Sequence, residues 1–153
     1  QALAAHRGTA DMLGFDLWLP SGQRQYDCHH VRDAHGGIVG ANPAAPCKLA
    51  HVTTSCCYLS ARLVRDIRVR FPVWPGSHYE DLAYSLTAWM HGYTVAYIGG
   101  RVIHHMAGPA GATKGRDPET WQKQAINRGL FAQWCGLHGA RLADTVPVGM
   151  EAL

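Results

Sequence analysis

Two neighbouring carboxylates, Glu80 and Asp81, stand directly before an apolar run in which Leu82, Leu86, Trp89 and Met90 recur at three- and four-residue steps. That spacing predicts a helix with both acids in its first turn. There the positive end of the helix dipole and the unpaired backbone N–H groups hold a carboxylate ionised and aimed. A carboxylate so placed can serve as a general base. The same residues also suit a purely structural role, because acids in a first turn complement the helix start. Further along, an apolar segment ends on His104 and His105. Imidazole is a competent transition-metal ligand, but neighbours on a strand point to opposite faces. Only one of the two can therefore serve the cleft the acids serve, unless the strand has already ended.

The elements that must position these groups can be read in order. Residues 1–7 read as the tail of a helix. Asp11 to Leu19 reads as a strand that stops at the turn signal Pro20-Ser21-Gly22, and Gln23 to Val31 as its hairpin return. Gly36-Gly37-Ile38-Val39-Gly40 reads as a flexible segment before the loop Asn42 to Pro46. His51 to Leu59 is rich in β-formers, and Ser60 reads as the N-cap of a short helix with Leu63, Val64 and Ile67 on one face. The prolines at 72 and 75 make 71–76 a loop with two bulky anchors. Gly92 is placed to end the acid-bearing helix. Thr94 to Ile98 and Arg101 to His104 read as strand, and Met106 to Asp117 as a mobile loop. Pro118 opens the longest helix, reaching about Cys135, with Trp121, Ile126, Leu130, Phe131 and Trp134 as its core face. Neither a repeat nor a linker divides residues 1–153, which read as one domain or half of one.

Composition bounds the function. Of 153 residues, 47% are hydrophobic and 16% charged, which suits a folded chain and not a disordered one. The uncharged stretches are too short and too interrupted for a membrane span, and the first eleven residues do not read as a signal peptide. The net charge of +3 comes from scattered arginines, dense only from Arg62 to Arg70. This excludes specific nucleic-acid binding as an expectation and leaves an anionic small ligand or an acidic membrane surface as partners. Five cysteines without a C-x-x-C spacing point to neither a zinc site nor a disulfide framework, and so to a reducing compartment.

Taken together, the stretch from about Leu13 to Trp134 resembles the C-terminal half of family-2 glycosyltransferases with the GT-A nucleotide-sugar fold. The resemblance rests on an order of features: HGGIVG, then TTSCCYLSARLVRDI, then Tyr79-Glu80-Asp81, a helix ending in Gly92-Tyr93, a strand, and His104-His105. It implies an α/β architecture, a mixed sheet with flanking helices. It also implies an inverting, non-processive transfer of sugar from a nucleoside-diphosphate donor to an acceptor hydroxyl. Asp81 would be the base and Glu80 its neighbour, orienting the loop or binding acceptor hydroxyls. His104 or His105 would be a ligand for Mn²⁺ or Mg²⁺. Trp74, His78 and Tyr79 would meet the sugar, and Lys114 and Arg116 the donor diphosphate under a closing loop.

The sequence departs from the family's pattern: no two aspartates fall two apart, so it holds no D-x-D, it lacks the length for the nucleotide-binding half, and the Q-x-x-R-W motif of processive members is missing. The nucleotide-binding half would then belong to another part of the polypeptide or to a second subunit. The expected location is the cytoplasm, with peripheral membrane association as an option. A non-catalytic carbohydrate-binding or assembly module of the same fold is the alternative, and a small metalloprotein using its ten histidines is a third reading.

Overall fold

The computed structural model describes residues 1–24, 29–75, 78–103 and 118–153. Two strands form its spine. β1 (Met12–Trp18) and β7 (Val95–Ile103) run parallel, with Met12 opposite Val95 and Trp18 opposite Ile103. Between Gly14 and Asp16 the register jumps from Tyr97 to Arg101, so β7 carries a bulge over Ile98–Gly100. β6 (Cys57–Leu59) adds antiparallel to β1, β4 (Cys47–Lys48) antiparallel to β7, and β8 (Glu151–Ala152) to β4. The result is a mixed five-stranded sheet ordered β6-β1-β7-β4-β8.

Alternation along the spine assigns its two faces. Met12, Val95 and Tyr97 point into a core shared with Tyr84 and Ala88 of helix α3 (Glu80–Met90). Leu13, Ala96 and Ile98 point the other way, against Ala2 and Leu3 of helix α1 (Ala2–His6). Both faces are thus covered, which explains why Val95 to Ile98 is uninterruptedly apolar. The fold is mixed α/β with flanking helices.

A second sheet, β3-β2-β5, is built from β2 (His29–Arg32), β3 (Ile38–Gly40) and β5 (His51–Val52). It lies close over the first. A Cβ on Gly14 would come within 2.4 Å of the Val52 Cβ, so only glycine permits this approach. Helix α4 (Pro118–Thr145) closes the molecule against α3, with Phe131 and Leu142 packed on Leu82, Leu86 and Met90. Among the described residues no helix is long and apolar enough to cross a membrane.

Several sequence expectations need correction. Among the described residues, the return from the Pro20 turn meets β1 through Arg24 opposite Trp18, and His29 onward joins the other sheet. The Gly36-Gly37 segment is a hairpin turn, tied by Asp33 Oδ1 accepting from the N–H groups of His35 and Gly37. His51 to Leu59 is two strands, β5 and β6, in different sheets. On α2 (Ala61–Arg65), capped by Ser60 as expected, only Leu63 is buried; Val64 is exposed, and so is Ile67, which falls beyond the helix end. The loop 71–75 has its two anchors, Phe71 stacked on Tyr84 and Trp74 edge-on to Phe131. α4 runs ten residues past Cys135, and its inward face holds Asn127 in place of Ile126 and Trp121, both of which are exposed. The helix continues through Gly136 and Gly139 because Leu142 packs in the core and Arg141 donates to the Met90 carbonyl.

Candidate active site

The acidic pair sits in the first turn of α3, as its pattern requires. The two residues before it are unusual. His78 and Tyr79 have φ of 101° and 70°, a left-handed backbone that costs a non-glycine residue about 1–3 kcal/mol. α4 holds them there. Asn127 Nδ2 donates to the His78 carbonyl at 3.0 Å, the Gln124 amide meets His78 Nε2 at 2.7 Å, and the Tyr79 ring stacks on Phe131. At the other end of α3, Gly92 takes φ 77° and ends the helix where its pattern stops.

This clasp aims Asp81 at the second sheet. Its Oδ1 accepts the Leu82 N–H at 2.9 Å, and its Oδ2 lies 3.4 Å from Thr53 Oγ1, at the turn between β5 and β6. His51 Nε2 stands 3.3 Å from the same Oδ2, within charge-pairing range but outside hydrogen-bond alignment. Burial is the largest single influence on this carboxyl and opposes ionisation. The His51 contact and the backbone N–H groups of Leu82 and Thr54 outweigh it together, holding the pKa down at about 2. A quarter of the side chain stays open to solvent.

Behind Asp81 the histidines line up. His51 is 3% exposed, and its Nδ1 lies 3.0 Å from Nδ1 of His30, its cross-strand partner on β2. His29 points the other way, edge-on to the Tyr97 ring at 5.0 Å. Burial, then the neighbouring His51, lowers its pKa to about 4 and leaves it neutral. Glu80 is pushed in the direction opposite to Asp81. Burial raises its pKa and the adjacent Asp81 charge adds to that, while its own N–H and His78 work against it. Its Oε2 is buried with no hydrogen-bond partner among the described residues. Two adjacent carboxyls with opposed shifts are a pattern that separates acid from base roles.

Of the residues singled out by sequence, Trp74, His78, Tyr79, Glu80 and Asp81 are brought together. Trp74, His78 and Tyr79 are half-buried and engaged with α4 through Phe131, Gln124 and Asn127. His104, His105, Lys114 and Arg116 lie outside the described residues. Sequence reasoning missed His30 and His51. Their pairing depends on a strand register that no local pattern announces. Among the described residues no group of three or more His, Cys, Asp or Glu side chains is arranged to hold a metal ion. Comparison with protein-family models, curated proteins and solved structures gives no match to this chain.

Proposed function

We propose that this chain forms the acceptor side of an inverting, non-processive glycosyltransferase of the GT-A type, with Asp81 as general base. The observation that carries the reading is the Asp81 carboxylate itself: ionised, fixed at a helix N-terminus and partly open to solvent. In the reaction, an acceptor hydroxyl oxygen bonds to the anomeric carbon as the bond to the nucleoside diphosphate breaks, and the hydroxyl proton passes to Asp81. An acid with so low a pKa is a weak base towards a free alcohol. It takes the proton only as the new C–O bond forms and the hydroxyl acidifies. Glu80, with its raised pKa, is suited to hydrogen-bond an acceptor hydroxyl. The ordered motif from HGGIVG to His104-His105 and the mixed α/β architecture support the reading.

The donor's nucleotide would be held by a further portion of the polypeptide or by a partner subunit. The 153 residues alone should then bind nucleotide-sugar poorly. Isothermal titration checks this, and micromolar binding in the presence of Mn²⁺ would overturn the half-site reading. In the complete assembly, Asp81→Asn should lower transfer by about 10²–10⁴-fold with donor affinity retained. Unchanged transfer would remove Asp81 as base and favour a binding module.

A further inference from the structure

We propose that His30, His51 and Asp81 form one buried polar array, in which His51 is the positioning residue of the Asp81 carboxylate and His30 fixes the protonation pattern of His51. The catalytic meaning of this array rests on Asp81 being the base, but the array itself stands on geometry.

Proton accounting leaves few options. An ionised carboxylate presents only lone pairs, so His51 Nε2, 3.3 Å from Asp81 Oδ2, is an attractive neighbour only when it carries a hydrogen, and the contact is electrostatic rather than an aligned hydrogen bond. The two Nδ1 atoms, 3.0 Å apart, need one hydrogen between them, since two bare lone pairs repel and two N–H groups collide. Two arrangements satisfy both conditions. Either neutral His51 accepts from His30 Nδ1–H, or cationic His51 donates in both directions. Each puts a hydrogen on Nε2, beside Asp81 Oδ2. His51 is almost wholly buried, so bulk water cannot substitute for it.

The surroundings leave this role to His51. From β2 comes His29, held neutral, with Asp16 and Arg24 acting on it from β1 and the turn beyond. From the β5–β6 turn come the Thr53 and Ser55 hydroxyls, and from β6 the Cys57 thiol, pushed up to about 11 by burial and the nearby Cys56 and Asp81. On α3 the neighbour is Glu80, and on β7 it is Tyr97. Among the groups named here, His51 alone both touches the carboxylate and reaches a second titratable ring. The cross-strand pairing of His30 with His51 thereby sets the direction of an acid on a separate helix.

The test needs no substrate. Imidazole ¹⁵N spectra of the 153-residue chain at neutral pH should show His51 Nε2 protonated. A bare Nε2 would overturn the proposal. Carboxyl ¹³C titration of Asp81 should place its midpoint at about 2 in the parent chain. In His51→Leu, which removes the donor, the midpoint should rise by about 1–3 units. His51→Gln, which returns an N–H donor, should restore part of the shift. An Asp81 midpoint unmoved in His51→Leu would overturn the proposal. If His51→Leu fails to fold, the parent imidazole spectrum and the glutamine variant decide it. A purely packing role for His51 would leave Asp81's titration unmoved. Loss of the glycosyltransferase reading, by unchanged transfer in Asp81→Asn, would leave these spectra untouched, so the two failures are distinguishable.

Discussion

Asp11 and Asp81 are both largely buried carboxylates with lowered pKa values, and they are put to different ends. Asp11 lies just before β1, and four donors saturate it. Its Oδ1 accepts from Ser60 Oγ at 2.8 Å and Arg62 Nε at 2.6 Å, and its Oδ2 from Arg62 Nη2 and the Thr94 N–H. Burial opposes its ionisation, and those donors overcome it. None of them can release its proton near neutral pH, and the carboxylate is only 7% exposed. It therefore ties α2 and the start of β7 to β1 and offers nothing to a substrate. Asp81 has longer contacts at its Oδ2, a histidine among them, and a solvent-facing side. A carboxylate closed off by strong donors acts as a structural bond, whereas one held ionised with an open side stays available to a ligand.

The largest effect that separates them should be kinetic. Asp81→Asn should cost about 10²–10⁴-fold in transfer by the complete assembly, whereas Asp11→Asn should leave transfer by the folded protein unchanged and lower the urea midpoint more than Asp81→Asn does. Equal stability losses in both variants would erase the distinction.

Acid titration divides the site by pH. His29 has a folded pKa of about 4 against 6.5 ordinarily, so folding favours its neutral form. Its contribution is complete above pH 6.5 and is lost as pH falls towards 4, about 3 kcal/mol in all. Asp81, lowered from 3.8 to about 2, contributes above pH 3.8 and loses that contribution as pH falls towards 2. Stability measured by denaturant titration should thus fall in two stages, and His29→Phe should remove most of the upper one, the remainder belonging to His91, whose pKa burial and Arg141 also lower. A single step in the parent chain would contradict the assignment of His29.

Asp11→Ala should destabilise by about 1–3 kcal/mol, read from urea unfolding, because the buried Thr94 N–H and Ser60 hydroxyl lose their acceptor. The smallest effect belongs just beyond α2. Ile67→Ser, at a residue 80% exposed, should change stability by less than about 0.5 kcal/mol, whereas buried Leu63→Ala should cost about 2–5 kcal/mol. A large loss at Ile67 would mean that something covers it.

Local pattern carried much of the fold. The period of α3, the Ser60 cap, the Gly92 stop and the strand character of 12–18 and 95–98 were legible because each depends on neighbours within one turn or one pleat. The split of 51–59 was not legible. Its β-formers are equally content in either sheet, and only Cys57–Leu59 meeting β1 decides the division. The end of α4 was hidden because Gly136 and Gly139 are poor helix formers, and the packing of Leu142 and Arg141 overrides them.

The candidate site divides in the same way. The sequence by itself determined that Glu80 and Asp81 open a helix, since a first-turn acid needs only its own helix's N–H groups and dipole. Which of the two is driven to ionise, and by what, was decided by tertiary structure. His51 and His30 lie far from Asp81 along the chain, and they reach it only through the β2–β5 register and the close approach of the two sheets at Gly14. Electrostatic environment is a property of distances through space, and residue spacing along the chain does not encode them.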